Sequence, residues 1–209
     1  MDYKTKALCK IRTITSFLVL GKDRAMWSLE INRAAEFCLS LSEHFITNGY
    51  QVQSMRIVTN AFGEYLNTTN INTAKIDLEY ISKILNSVTS SSLRIRFAIG
   101  EAKTAHEIGL LPELIQCYGD LCNACVNIPM DEAFVLDNER IELAAQTVIN
   151  ISRMTLRGEG NFNFTVNFNC KPLIPYFPAS FHQNNRFLLN KRVMLTHMRA
   201  TQPSEFRVA

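Results

Sequence analysis

From Gly160 to Cys170 the chain alternates without interruption between apolar and polar positions. On a strand this period places Phe162, Phe164, Val166 and Phe168 on one face and Asn161, Asn163, Thr165, Asn167 and Asn169 on the other. Four earlier stretches also read as strands: the β-branched run 10–20 ending at Gly21, then 50–60, 94–100 and 122–128. Between them the apolar residues change to helical spacing. Asp23 caps a helix carrying Trp27, Ile31, Ala34, Ala35, Cys38, Leu41 and Phe45, which stops at Asn48-Gly49. A second helix over 73–88 puts Ile76, Tyr80, Ile84 and Val88 on its stripe, with Ile81 and Leu85 beside them, and ends in a serine run at 90–92. Thr104 and Glu107 form the capping-box pattern that opens a third, through Leu110, Leu114 and Tyr118. Asp137 opens a fourth, with Ile141, Ala144, Ala145 and Val148 aligned. Strands and helices alternate with no two-residue hairpin turns, which predicts an α/β fold of five mainly parallel strands.

Composition changes this picture little. At 209 residues, 47% hydrophobic and 20% charged, the chain is ordinary globular material for one domain. No apolar run approaches the ~18 residues of a membrane span, so no membrane partner is expected. Six cysteines without an export signal fit reduced thiols and a cytoplasmic protein. The net charge of +3 is unevenly placed: residues from 186 onward carry +4 and the rest −1. A surplus held in a tail does not make the basic face that nucleic acid requires, so no nucleic-acid partner is expected.

The candidate chemistry is sparse. Neither GxGxxG nor GxxxxGK[ST] occurs, so no nucleotide cofactor is predicted and the cofactor expectation is none. Cys122 and Cys125 have CxxC spacing, but within a strand that separation turns the two thiols to opposite faces. His44, His106 and His197 have no neighbour at ligand spacing, and no metal site is predicted. Polar residues on or following the strands are the better candidates: Arg12, Arg56, Asn60, Glu101 and Asn127 join Asn161 and Asn163 as ligand-binding candidates. With helices covering the apolar face of a parallel sheet, the amide face looks either into solvent or into a cavity for a small polar ligand. The segment 172–182 holds three prolines and ends in Ser180, Phe181 and His182. It is either a packed connector or a stiff loop that offers Ser180 and His182 to a ligand, with His182 the candidate titrating group.

Gly158-Glu-Gly-Asn-Phe-Asn-Phe164 and Pro175-Tyr-Phe-Pro-Ala-Ser-Phe-His182, together with 10–15 and 53–60, resemble the family known as domain of unknown function 711. The resemblance covers roughly residues 9–183 and implies a fold similar to pyruvate formate-lyase. That fold is a ten-stranded α/β barrel of two five-stranded halves, with a finger loop threading the lumen after the first half. Residues 1–185 then make one half-barrel, 171–182 its finger, and 186–209 a basic tail that is poorly ordered or forms one short helix. The glycyl-radical chemistry of that fold does not carry over, because the finger holds Ser180 and no radical-glycine loop is present. A half-barrel leaves two sheet edges and an open lumen, so this reading expects a fragment that forms a homo-oligomer or associates with a second half-barrel. Three functions remain open: a member of an enzymatic family with a polar small-molecule cavity, a non-catalytic ligand-binding or regulatory protein, and a complete flavodoxin-like domain, which bound flavin would colour yellow.

Overall fold

The computed structural model describes residues 9–88, 95–119 and 121–182, and the backbone of 193–200. Its strands are β1 (Cys9–Leu18), β2 (Gln51–Val52), β3 (Met55–Thr59), β4 (Ile95–Glu101), β5 (Asn123–Ile128), β6 (Phe164–Phe168) and β7 (Val193–Ala200). The helices are α1 (Trp27–Thr47), α2 (Ile71–Val88), α3 (Ala105–Tyr118) and α4 (Asn138–Met154). β2 and β3 run parallel to β1 in one continuous register, Ile11 opposite Val52 and Ile14 opposite Met55. Across the break, Gln53 N donates to Ile11 O and Ile14 N to Ser54 O, so the two pieces act as the single strand that the sequence predicts over 50–60. β4, β5 and β6 continue the sheet in parallel order, each following a helix. The result is an α/β half-barrel, a curled sheet of parallel strands alternating with helices.

All four helices lie on one face. Ile14, Met55, Ile57, Phe97, Val126 and Phe164 from the strands join Trp27, Ile31, Leu78, Ile81, Leu114 and Ile151 from the helices in a continuous core. The opposite face carries a small apolar band of Phe17, Val58 and Ala98, covered by Leu173 and Phe177. Local signals set the helix starts. Asp23 accepts from Ala25 N at a short 3-10 turn leading into α1, Thr104 and Glu107 close the capping box of α3, and Asp137 accepts from Arg140 N at the start of α4.

Several expectations shift. α2 buries Ala74, Asp77, Leu78, Ile81, Ile84 and Leu85, and Ile76 is 58% exposed. The apolar arc of this helix is wide enough for two overlapping stripes, and packing selects the one containing the small Ala74. On α4, Thr147 and Ile151 are buried with Ala144, and Val148 is turned outward. The serine run at 90–92 lies outside the described residues.

The largest change is at the alternating stretch. Residues Leu156–Asn163 form 3-10 turns wound against the end of α4, and the strand begins only at Phe164. Arg157 and Gly158 take positive φ angles of 53° and 71°, and Gly160 sits so tightly on Ile151 and Thr155 that a Cβ would lie 2.8 and 2.7 Å from their methyl groups. Phe162 is consequently 81% exposed instead of sharing a face with Phe164.

The second edge of β1 is also occupied. β7 pairs with it antiparallel, Ile14 opposite Leu195, where a short helix or an unordered tail was expected; 183–192 and 201–209 lie outside the described residues. Val193 and Thr196 favour extended backbone, and the free donors and acceptors of an edge strand supply the partner. Of the two open edges expected, that of β1 is therefore covered, and β7 takes its place as the outer strand on that side. Among the described residues, no helix is long and apolar enough to cross a membrane.

Candidate functional site

Register partners on parallel strands point to the same face, so the face opposite the helices can be read row by row. Thr15, Arg56 and Arg96 stand abreast, followed by Phe17, Val58 and Ala98. Glu101, Cys125 and Thr165 form another row, and Asn127 lies beside Asn167. Glu101 reaches this face because β4 slips its register at Gly100: Ala98 pairs with Asn123, but Gly100 already pairs with Ala124.

The segment after β6 folds back across this face. Phe181 pairs with Ile174 through backbone bonds in both directions, which closes 174–181 into a finger. Asn167 Nδ2 donates to Ala179 O at 3.2 Å, and Cys125 Sγ approaches Ser180 O at 3.9 Å. His182 Nε2 donates to Leu18 O at 2.8 Å, and its ring meets Phe17 edge-on at 5.6 Å. A carbonyl can only accept, so this contact fixes the proton on Nε2. Ser180 and His182 are both buried, and among the described residues Ser180 Oγ has no hydrogen-bond partner.

At the carboxyl ends of the strands the polar groups converge. Asn60 Nδ2 donates to Glu64 Oε2 at 2.8 Å, and Lys103 Nζ pairs with the other oxygen of that carboxylate. Glu107 Oε2 accepts from the backbone N–H groups of Lys103 and Thr104. Arg140 donates to the carbonyls of Asn127 and Lys103, tying α4 to the ends of β4 and β5. Glu101 is 7% exposed, and burial raises its pKa; Lys103 and Arg140 oppose the shift, while Glu107 and Glu64 add to it. Burial pushes Glu64 up too, but its hydrogen bonds from Lys103 and Asn60, with the charges of Lys103 and His182, bring it below its ordinary value. Two carboxyl groups in one neighbourhood are thus driven apart in acidity.

Of the residues singled out from the sequence, Asn127, Ser180, His182 and Glu101 lie together at the carboxyl end of this face, and Arg56 lies on the same face on the other side of the apolar band. Asn127 is used structurally: its Nδ2 donates to Cys170 O and its Oδ1 accepts from Cys170 N, which starts the finger. Arg12 is exposed and donates to Gln53 Oε1 at 3.2 Å. Asn60 is buried and fully engaged with Leu20 and Glu64. Asn161 and Asn163 are elsewhere. Asn161 Nδ2 donates to Val148 O on α4, and Asn163 Nδ2 lies beside Gly119, because both belong to the 3-10 turns and not to β6. Sequence reasoning did not select Glu64, Lys103, Arg140 or Arg96. Lys103 and Arg140 sat next to recognised helix caps, and that adjacency was the available signal.

These features define a class, the α/β half-barrel whose open face is crossed by a finger loop. The chain belongs to the family described as uncharacterised ACR (DUF711), whose model matches residues 4–193. No protein of curated function matches it. Among the described residues, no group of three or more His, Cys, Asp or Glu side chains is placed to hold a metal ion.

The raised pKa of Glu101 predicts a pH signature. A carboxyl whose folded pKa exceeds its unfolded value costs stability as pH rises through that window, because the native state gives up its proton last. Glu101→Gln should therefore melt higher than the wild type at pH 7–8, with the gain shrinking towards zero below about pH 4, where the unfolded carboxyl is also protonated. Thermal melts across pH check this; a pH-independent difference would show that Glu101 ionises normally.

Proposed function

We propose that this chain binds a small polar ligand at the carboxyl ends of its strands, between Glu101 and Ser180–His182 at the closing end of the finger. The observation that carries the reading is the Ser180 hydroxyl, buried and without a hydrogen-bond partner among the described residues, in a residue that packs against Cys125, the register partner of Glu101. An unpaired buried hydroxyl costs about 1–3 kcal/mol, which a ligand atom in hydrogen-bond range offsets. Carboxyl ends of parallel strands are also where α/β folds place their ligands. The separation in acidity between Glu101 and Glu64 favours a second reading, proton transfer to or from the bound molecule, with His182 as the partner group. The finger in turn supports the likeness to a pyruvate formate-lyase-type barrel, in which a second half-barrel or a second copy of the chain would wall the face.

Mass spectrometry of small molecules released from the purified chain tests the binding reading. A polar compound in near-stoichiometric amount is expected, retained at least tenfold less by Ser180→Ala, a change that leaves the melting temperature close to that of the wild type. For the proton-transfer reading, His182→Gln keeps an N–H donor for Leu18 O and should leave the compound bound while abolishing its chemical conversion. A wild-type chain that carries no compound and gains no thermal stability from a panel of polar metabolites would overturn the proposal.

A further inference from the structure

The amino-terminal half of the open face carries a different grouping. Arg56 and Arg96 are register partners on β3 and β4 and point to the same side, with Thr15 on the other flank of Arg56. Arg12 is close enough for its charge to act on Arg56, whose own pKa is lowered first by burial and then by Arg12 and Arg96. Like charges set directly opposite each other on a sheet are destabilising. Among the described residues, none of the three makes an ion pair with a carboxylate. The contacts they do make are neutral. Arg12 donates to Gln53, and Arg56 lies over the Phe177 ring at 4.6 Å, which leaves the edge of its guanidinium for another partner.

Two unpartnered polar atoms lie in the same place. Among the described residues Arg56 Nε is buried without a hydrogen bond, and so is Oγ1 of Thr15, a residue with 0% exposure. Two residues earlier on β1, Thr13 also has a buried hydroxyl without a hydrogen bond among the described residues. Three cations of one sign beside orphaned donors describe a site that is complete only with an anion. The planar fork of arginine fits a tetrahedral or planar oxyanion through paired N–H donors.

We propose that Thr15, Arg56 and Arg96, with Arg12 at the rim, form a phosphoryl-binding site. Its ligand class is a small molecule bearing a phosphate group. The site is separate from the one at Glu101, since the apolar band of Phe17, Val58, Ala98, Leu173 and Phe177 lies between them. From Arg56 to Asn60 the chain rises roughly 13 Å at strand geometry. The proposal therefore stands whether or not the carboxyl-end reading holds.

Inorganic phosphate is the probe, titrated calorimetrically into the full chain at constant ionic strength with chloride as the reference anion. Phosphate should bind saturably and raise the melting temperature above that in chloride. Arg96→Gln, at an exposed position where folding is not at stake, should weaken binding at least tenfold, and Arg56→Gln at least as much. Thr15→Val should weaken it several-fold, whereas Ser180→Ala at the other site should leave it unchanged. Phosphate also stabilises proteins generally by exclusion from their surfaces, so the Arg96→Gln comparison separates occupancy from that effect. Equal behaviour in phosphate and chloride, or an Arg96→Gln chain that binds as the wild type does, would overturn the site.

Discussion

Gly100→Ala is expected to lower stability by about 3 kcal/mol or more, which in a chain of this size lowers the melting temperature by about 6–12 °C. Gly100 has φ +82°, and a Cβ there would lie 2.5 Å from Asn60 O and 2.8 Å from Thr59 O. Both are backbone atoms, at the carboxyl end of β3 and in the residue just after it, so no side chain can rotate aside. The only relief is to part β3 from β4 in the middle of the sheet. The same residue makes the register slip that turns Glu101 to the open face, so the variant should also lose the pH signature of Glu101. Circular dichroism melts decide the first point. A fall of less than about 2 °C would mean that the slip absorbs the extra atom.

Asn60→Ala should be nearly as damaging, at roughly 2–3 kcal/mol, for a different reason. The side chain accepts from Leu20 N at 2.9 Å and donates to Leu20 O at 3.2 Å and Glu64 Oε2 at 2.8 Å, all at a position with no exposure. Alanine leaves both backbone groups of Leu20 buried and unpaired at the end of β1. It also removes one of the hydrogen bonds that hold Glu64 acidic. Denaturant unfolding measures the loss. A variant as stable as the wild type would imply that water replaces the amide.

Asn60 also shows where the sequence was legible and where it was not. Its position after a strand was readable, and so was its polar character, but its two bonds to Leu20 span forty residues of sequence and carry no local mark. The elements that were read correctly are those set by short-range chemistry. The Thr104–Glu107 capping box and the Asp137 cap were both visible in a window of four residues. The alternating stretch misled for the same reason. Asn161 and Asn163 satisfy a period of two as letters, yet the left-handed turn at Arg157 and Gly158 and the close fit of Gly160 wind them onto α4 before the strand begins. Glu101 is the converse case. Counting by twos from Ile95 places it on the helix side, and only the slip at Gly100 moves it across. Arg56 was read as a candidate from its own strand, but its meaning depends on Arg96, which the sequence places forty residues away and the sheet places alongside.

The antiparallel strand β7 changes how copies of this sheet can add to one another. Two bare margins would let each copy accept a neighbour on the left and another on the right, and such addition has no natural end. With β1 covered, the margins of the described sheet are β7 on one side and β6 on the other, and they run in opposite directions relative to the strands between them. Pairing β6 with β6, or β7 with β7, about a two-fold axis closes a pair, whereas seating β6 of one copy on β7 of the next repeats without closure. The added strand thus moves one margin outward and reverses its direction, which changes the partner geometry that this side accepts.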